Sequence, residues 1–151
     1  MDDLDEELYR KYSPELLRFA AALVGPTDAD DVVSSAFLRV LSSRHWPSVV
    51  EQRAYLYRAV VNEARQGVRT SRRRLARELA VARPDQLQPD ALRVEMAEAL
   101  AALSVQQRAV VFLTYWFEMS AAEAATTLDM SQRSTERVLS SARFRLRRSL
   151  Q

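Results

Sequence analysis

Residues 120–148 read SAAEAATTLDMSQRSTERVLSSARFRLRR, and this stretch decides the fold class. Ser120 and Glu123 form a capping-box pattern, which predicts a short helix that begins at residue 121 and ends at Leu128. A three-residue turn leads into a longer helix that ends among arginines. One face of that helix carries five residues at helical spacing: Thr135, Val138, Leu139, Ala142 and Leu146. This order predicts a helix-turn-helix, a motif whose second helix enters the major groove of DNA.

The side chains of this motif suit both packing and recognition. Ala125 is small enough to let the two helices approach closely, and Leu128 and Leu139 fill the angle between them. Five polar or charged residues of the second helix point outward, where they could reach base edges: Gln132, Arg133, Glu136, Arg137 and Ser140. The alternative is an ordinary amphipathic C-terminal helix with a solvated arginine face.

The residues near the N-terminus also follow helical spacing. Apolar residues from Leu8 to Leu23 predict a first helix that stops at Gly25-Pro26. Thr27 is placed as the N-cap of a second helix, whose buried stripe ends at Leu41. Residues 42–52 are predicted to form a loop. A third helix follows through Tyr55 and has a basic continuation towards Arg74.

The middle of the chain separates two helical parts. Residues 75–90 contain two prolines and lack a clean apolar stripe, so they are predicted to form a linker. An amphipathic helix ending near Leu103 follows, and Ser104 with Gln107 forms a capping box that opens the next helix. The predicted fold is all-α, with two small helical domains joined by a linker. The domains are residues 1–74 and residues 91–151, and the second contains the helix-turn-helix.

Composition excludes most kinds of catalytic site. The chain has 151 residues, no cysteine and a single histidine, His45, so it has no thiol nucleophile and no histidine pair for a metal. It also lacks a glycine-rich loop. Asp28, Asp30 and Asp31 suit the positive end of a helix dipole and need no ion. We therefore expect a non-enzymatic protein without metal or cofactor. Short uncharged runs and an acidic N-terminus predict neither membrane insertion nor a secretory leader, and hence a cytoplasmic location.

Charge is segregated along the chain. Residues 1–31 contain nine acidic and three basic side chains, a net charge of −6. Residues 65–83 contain seven arginines and one glutamate, and residues 133–148 contain six arginines and one glutamate. An acidic N-terminal segment followed by two basic segments suggests that the chain binds nucleic acid together with a basic protein partner. The alternative is that arginine is merely the usual surface cation here, since Lys11 is the only lysine.

The first basic segment lies beside aromatic residues. Five arginines follow the third helix: Arg69, Arg72, Arg73, Arg74 and Arg77. That helix supplies Tyr55, Tyr57 and Asn62, and the loop before it supplies His45 and Trp46. Guanidinium groups hold phosphates while rings stack on exposed bases, so this combination favours single-stranded or unstacking DNA. Alternatively, Trp46 closes the top of the helix bundle, and His45 is a plain loop residue.

The order of these pieces resembles the extracytoplasmic-function sigma factors, the small two-domain promoter-specificity subunits of bacterial RNA polymerase. Three stretches of the first half carry the resemblance: Tyr12 to Gly25, DADDVVSSAFLRV from Asp28 and RAYLYRAVVNEAR from Arg53. In the second half they are ALAALSVQQRAVV from Ala99, AEAA from Ala122 and ARFRLRR from Ala142. The resemblance covers nearly the whole chain.

The resemblance implies roles for particular residues. Docking on the coiled-coil clamp of core RNA polymerase would use Asp30, Asp31, Phe37, Leu38 and Arg39. A base flipped from the non-template strand of a minus-ten-like element would be captured by loop residues Arg44 to Ser48, which include His45 and Trp46, with Asn62 and Arg65 nearby. Of the basic segment described above, Arg69, Arg72 and Arg73 are the further candidate DNA contacts. A minus-thirty-five-like duplex would be read by Gln132, Arg133, Glu136 and Arg137, with Arg143 and Arg147 on phosphates. The linker would pass through the RNA-exit region, and an anti-sigma factor is a possible partner.

Several positions depart from the family pattern. Ser34 and Ser35 thin the acidic docking face, and Asp129 stands where the turn usually has glycine. Ala124 and Thr135 replace larger aliphatic residues. Glu136, Val138 and Ser141 stand where basic residues are common, and Glu136 would repel phosphate unless it accepts from a cytosine amino group. The predicted function is a sigma factor that directs promoter-specific initiation. The alternative is a degenerate sigma-like protein that regulates transcription alone or acts as a partner or decoy of another sigma factor.

Overall fold

A computed structural model of the chain describes residues 3–67, 71–81 and 90–149. Within those ranges the chain forms eight α-helices and one turn of 3-10 helix, Trp46–Ser48, and no strand. The helices are α1 (Asp3–Val24), α2 (Pro26–Leu41), α3 (Gln52–Gly67), α4 (Arg72–Val81), α5 (Asp90–Ala101), α6 (Val105–Tyr115), α7 (Ala121–Leu128) and α8 (Gln132–Ser149). The predicted all-α class is confirmed.

The junction between α1 and α2 is tighter than predicted. Gly25 has a φ of 90° and is the N-cap of α2, and Pro26 occupies the first helical turn, where its missing N–H costs nothing. Thr27 was predicted as the N-cap, and that prediction is wrong because the helix already includes it. The backbone N–H of Thr27 donates to Oε1 of Glu78 at 3.0 Å. A side chain of α4 therefore supplies the cap of α2.

The segment after α3 is helical where a linker was predicted. Helix α3 ends at Gly67 instead of continuing towards Arg74, and α4 is a separate helix. Leu75 and Leu79 are 4% and 8% exposed and pack against Ala97 and Ala101 of α5. Residues 75–81 of the predicted linker are helical, because two leucines four residues apart suffice for packing when small alanines face them. Residues 82–89 of the predicted linker lie outside the described residues.

The helix-turn-helix forms where the sequence predicts it. Both capping boxes are present, Ser104 with Gln107 at α6 and Ser120 with Glu123 at α7. Asp129 ends α7 in the left-handed conformation, with φ 54° and ψ 47°. Thr135 is fully buried and its hydroxyl donates to the carbonyl of Ser131 at 3.0 Å. A threonine thus fits the core position of an aliphatic residue because its polar atom is satisfied within its own helix.

The two halves of the chain share one hydrophobic core. Helices α6 and α7 pack against α1 and α3. Four buried residues of the second half join the core of the first half: Ala109, Phe112, Leu113 and Ala124. The Phe112 ring centroid lies 6.3 Å from that of Phe19, and the Phe117 ring meets Tyr57 edge-on at 6.2 Å. The sequence predicts two domains and a linker, but it does not predict that the domains pack against each other.

Candidate polymerase and nucleic-acid interfaces

The outward face of α2 combines acidic, small and apolar residues. Six of its residues are exposed at helical spacing: Asp30, Asp31, Ser34, Ser35, Leu38 and Arg39. Leu38 is 64% exposed, so it offers an apolar contact in an otherwise polar face. Arg39 forms an ion pair with Glu63 of α3, with Nε 2.5 Å from Oε1. We call these six residues the α2 face.

Phe37 does not belong to the α2 face. Its side chain is 3% exposed, and its ring centroid lies 4.9 Å from that of Tyr9. The prediction of Phe37 as a docking residue is therefore corrected, because it packs in the core next to the exposed Leu38.

The loop between α2 and α3 is held by its own hydrogen bonds. The Ser48 hydroxyl donates to the His45 carbonyl at 2.9 Å, and the His45 N–H donates to Oγ of Ser43 at 3.2 Å. Arg44 and His45 are exposed. Trp46 is half-buried, with its ring centroid 5.9 Å from that of Tyr55, and packs on the core. Trp46 therefore helps to close the bundle and keeps part of its ring at the surface.

A cleft of about 360 Å³ lies between this loop and α3, and we call it the loop cleft. Its walls include Ser43, Tyr55, Arg58 and Asn62 from the first half of the chain. Its rim also includes Asp129 from the turn of the helix-turn-helix. Hydroxyl, amide and guanidinium groups beside an aromatic ring can hydrogen-bond and stack a nucleotide base.

The exposed side of α3 faces the helix-turn-helix. Asn62 and Arg65 are exposed, and they line a second cleft of about 210 Å³ together with Leu128 and Met130. Arg58 forms an ion pair with Asp129, with Nη1 3.7 Å from Oδ2. The structure therefore brings the candidate minus-ten residues of α3 next to the turn of the second half.

The arginines of the first basic segment do not continue α3. Arg72, Arg73 and Arg77 are exposed on α4. Arg74 instead lies 3.1 Å from a carboxylate oxygen of Glu78 and 3.7 Å from one of Asp28. Arg69 lies outside the described residues. Three arginines of α4 are therefore exposed to solvent, whereas Arg74 links α4 to α2.

The outward face of α8 carries the five predicted base-reading side chains. All are exposed: Gln132, Arg133, Glu136, Arg137 and Ser140. Nε2 of Gln132 donates to Oε1 of Glu136 at 3.1 Å, which directs that carboxylate. Arg147 is exposed further along the helix, and Nε of Arg143 donates to the Tyr115 hydroxyl at 2.8 Å. The pattern did not identify Tyr115, because it lies 28 residues away on α6.

Two groups of polar residues inside the molecule were not predicted. Glu15 accepts hydrogen bonds from the Tyr57 hydroxyl at 2.7 Å and from Nε of Arg53 at 2.9 Å. Burial and then this carboxylate raise the pKa of Tyr57. Arg108 is 8% exposed and donates to the carbonyls of Leu23, Leu100 and Leu103. Desolvation lowers the pKa of Arg108 to about 10, so its side chain is charged at neutral pH.

Each half of the chain matches a known protein family. Residues 8–74 match the family model of sigma-70 region 2, and residues 93–148 match that of sigma-70 region 4. No described helix is long and apolar enough to cross a membrane.

Whole-length relatives agree with these matches. The RNA polymerase sigma-E factor of Streptomyces antibioticus is 34% identical, across 97% of this chain and 84% of that protein. The sigma-E factor of Streptomyces coelicolor is 32% identical, across 96% and 85%. The ECF RNA polymerase sigma factor SigL of Mycobacterium tuberculosis is 31% identical, across 95% and 87%. The family predicted from the sequence is confirmed, and the chain belongs to the extracytoplasmic-function sigma factors, which direct transcription initiation by RNA polymerase.

Proposed function

We propose a division of this function between the two halves of the chain. Residues 1–74 dock on core RNA polymerase through the α2 face and bind the minus-ten-like element, while residues 91–151 bind the minus-thirty-five-like element. Residues 75–90 connect the two parts. The observation that carries the proposal is that the α2 face and the outward face of α8 are both exposed, each on one side of a packed helix. The proposed action is binding without catalysis, in the cytoplasm where the promoter is.

The docking step relies on charge and one apolar contact. Asp30 and Asp31 offer two carboxylates for a basic partner surface, and Leu38 offers apolar area beside them. Ser34 and Ser35 occupy the middle of the α2 face and add no charge. Only two of the six residues of the α2 face are therefore acidic. Each of these two aspartates contributes a larger share of the attraction to a basic partner surface.

The minus-ten-like element is bound as unstacked DNA in the loop cleft. Arg44 and His45 are exposed and directly follow Ser43, which lines the cleft. Asn62 offers an amide that can both donate to and accept from a base edge. Unstacking a base costs on the order of a few kcal/mol, and binding in the cleft offsets this cost. Arg65, Arg72 and Arg73 supply further cations for phosphates.

The minus-thirty-five-like element is read as duplex by α8. Arg133 and Arg137 offer bidentate donors to guanine, and Glu136 accepts from a cytosine amino group. Because Gln132 already donates to one Glu136 oxygen, the other oxygen is free to face the groove. Arg143 and Arg147 contact phosphates, which positions the helix without reading sequence.

Reconstituted transcription tests the proposal. Purified chain and core polymerase are incubated with a library of random promoter-length templates, and the RNA 5′ ends are sequenced. We expect initiation downstream of two shared elements. Asp30→Arg should lower both polymerase binding and initiation by at least about tenfold, since a close like-charge contact replaces an attraction. Glu95→Arg makes the same charge change at an exposed site on α5 and should leave both unchanged.

The same experiment also tests a second candidate function, a DNA-binding regulator that acts without polymerase. The outward face of α8 is exposed, whereas Asn62 and Arg65 of α3 share a small cleft with the helix-turn-helix, which favours duplex binding by α8 without polymerase. In that case the chain acts as a stand-alone regulator, or it occupies a partner of another sigma factor. If the chain retains no core polymerase and yet binds duplex DNA, this second function replaces the first.

A further inference from the structure

Helices α4 and α5 border an open groove of about 790 Å³, which we call the α4–α5 groove. Its apolar lining comes from two half-buried alanines and two exposed valines: Ala76, Ala80, Val81 and Val94. Val81 is 72% exposed and Val94 is 46% exposed. Large apolar side chains rarely face water together without a purpose, so this groove is a candidate docking surface.

The charge of the α4–α5 groove is strongly positive. Arg72, Arg73 and Arg77 line it, and Glu98 is the one acidic residue among its described lining. None of the three arginines forms an ion pair with a carboxylate in the part of the chain that the structure describes. An apolar groove bordered by unpaired guanidinium groups fits an occupant that combines an apolar side chain with carboxylates.

The start of α1 has this complementary composition. Four of its residues are exposed, and we call them the acidic tip: Asp3, Leu4, Glu6 and Glu7. Leu4 is 74% exposed, so its side chain makes little contact within its own chain. Asp3 and Glu7 are four residues apart, the same spacing as two of the arginines in the groove. Two helices that lie side by side can therefore form two ion pairs at this spacing.

The acidic tip cannot reach the groove of its own chain. Helix α1 has 22 residues and is about 33 Å long at ~1.5 Å per residue. The opposite end of α1 adjoins Gly25, where a Cβ would lie 2.8 Å from Oε1 of Glu78 on α4. Helix α4 has ten residues and is only about 15 Å long, so it does not span the remaining distance. A tip that enters the groove therefore belongs to a second copy of the chain.

We propose that the α4–α5 groove binds the acidic tip of a second copy of this chain. Leu4 of one copy packs against Ala76 and Ala80 of the other, where the small alanines allow close approach, and the carboxylates of the tip face the arginines. Tip and groove are different surfaces, so the copies associate head to tail and form open chains or a ring. A single helix tip buries less than the ~1,200 Å² of stable interfaces, so the association is weak and depends on concentration.

Self-association has a consequence for DNA binding. Arg72 and Arg73 are also the proposed contacts to DNA phosphates, and a groove that holds the acidic tip of another copy does not offer these arginines to DNA. DNA and the second copy therefore compete for the same side chains. This consequence alone rests on the proposed function, whereas the association itself does not.

Sedimentation velocity of the purified full chain, without polymerase or DNA, tests the association. We expect the weight-average sedimentation coefficient to rise with protein concentration. The rise should be smaller at high salt, because the contact depends on exposed charges. A parent chain that stays monomeric up to about 1 mM at low salt overturns the proposal and leaves the groove to an acidic helix of another protein.

Charge reversal identifies the two surfaces. Arg77→Glu in the groove and Glu7→Arg in the tip should each weaken the association at least about tenfold, because a like-charge contact replaces an attraction. A chain that carries both changes should associate at least about threefold more tightly than either single variant, since opposite charges face each other again. Arg148→Glu and Glu51→Arg make the same charge changes at exposed sites outside both surfaces and should match the parent. Equal weakening in these controls, or no recovery in the double variant, overturns the proposal.

A disulfide between two copies locates the contact directly. The chain has no native cysteine, so Leu4→Cys and Val81→Cys each introduce a single thiol at an exposed site. A disulfide forms only when the two Cα atoms come within about 7 Å. A mixture of these two variants oxidised with diamide should form the mixed dimer at least about tenfold faster than a mixture of Leu4→Cys with Thr126→Cys, because binding raises the local concentration of one thiol near the other. Thr126 is exposed on α7, outside both surfaces, and equal rates in the two mixtures overturn the proposal.

Discussion

Replacement of Gly25 by alanine tests the contact between the start of α2 and Glu78 of α4. Gly25 has φ 90° and ψ 157°, a backbone conformation open almost only to glycine, and a side chain there costs about 1–3 kcal/mol. A Cβ built at this position lies 2.8 Å from Oε1 of Glu78 and 3.3 Å from its Cβ. The Glu78 carboxylate must then move away from the Thr27 N–H, and loss of a hydrogen bond to a charged group costs about 1.5–3 kcal/mol.

These two costs together predict that Gly25→Ala lowers the free energy of unfolding by about 2.5–6 kcal/mol, a large part of a typical ~5–15 kcal/mol. Urea denaturation followed by circular dichroism measures it, provided the slope with denaturant is unchanged. The double variant Gly25→Ala/Glu78→Ala should lose less free energy of unfolding than the sum of the losses in the two single variants, because both single changes remove the same cap. A loss below about 1 kcal/mol for Gly25→Ala, or strict additivity in the cycle, would refute the reasoning.

Two further predictions concern pH and salt. Burial and the Glu15 carboxylate raise the pKa of Tyr57 above its usual value of 10.0, so the contribution of Tyr57 to stability is complete below pH 10 and is lost as pH rises above it. Urea titrations of the parent chain and Tyr57→Phe between pH 8 and 11 should show a shallower alkaline loss in the variant, and equal slopes contradict this assignment. Arg143→Ala should weaken duplex binding evenly across sequences and lower the salt slope by about one unit, whereas Arg137→Ala should change the preferred sequence. In vitro selection at two salt concentrations separates these effects, and an unchanged salt slope for Arg143→Ala removes it from the phosphate contacts.

Local features of this fold were predictable because their causes lie within a few residues. Both capping boxes join residues three positions apart, and the turn at Asp129 follows from a short polar side chain that tolerates the left-handed conformation. The pattern also placed the outward face of α8 correctly. The docking role of Phe37 came from the family resemblance and not from the apolar pattern. Phe37 is adjacent in sequence to the exposed Leu38 but lies about 100° around the helix and is buried.

Features that depend on distant residues were not predictable from pattern. Thr27 and Glu78 are 51 residues apart, so nothing near Gly25 shows that its helix is capped from α4. Helix α6 is apolar on two sides, which indicates burial but does not say that one side faces α1 and α3. No local pattern distinguishes Arg108 from the other arginines, and only the fold shows it directed at three carbonyls.

Helix α4 connects the start of α2 to the second half of the chain. It contacts α5 through Leu75 and Leu79, and it holds the start of α2 through Glu78. Displacement of α4 leaves the Thr27 amide without its acceptor and weakens the first turn of α2, which carries Asp28. Movement of the second half of the chain that displaces α4 therefore breaks the hydrogen bond at the start of α2. The rate of hydrogen exchange at the Thr27 amide measures how often this bond opens.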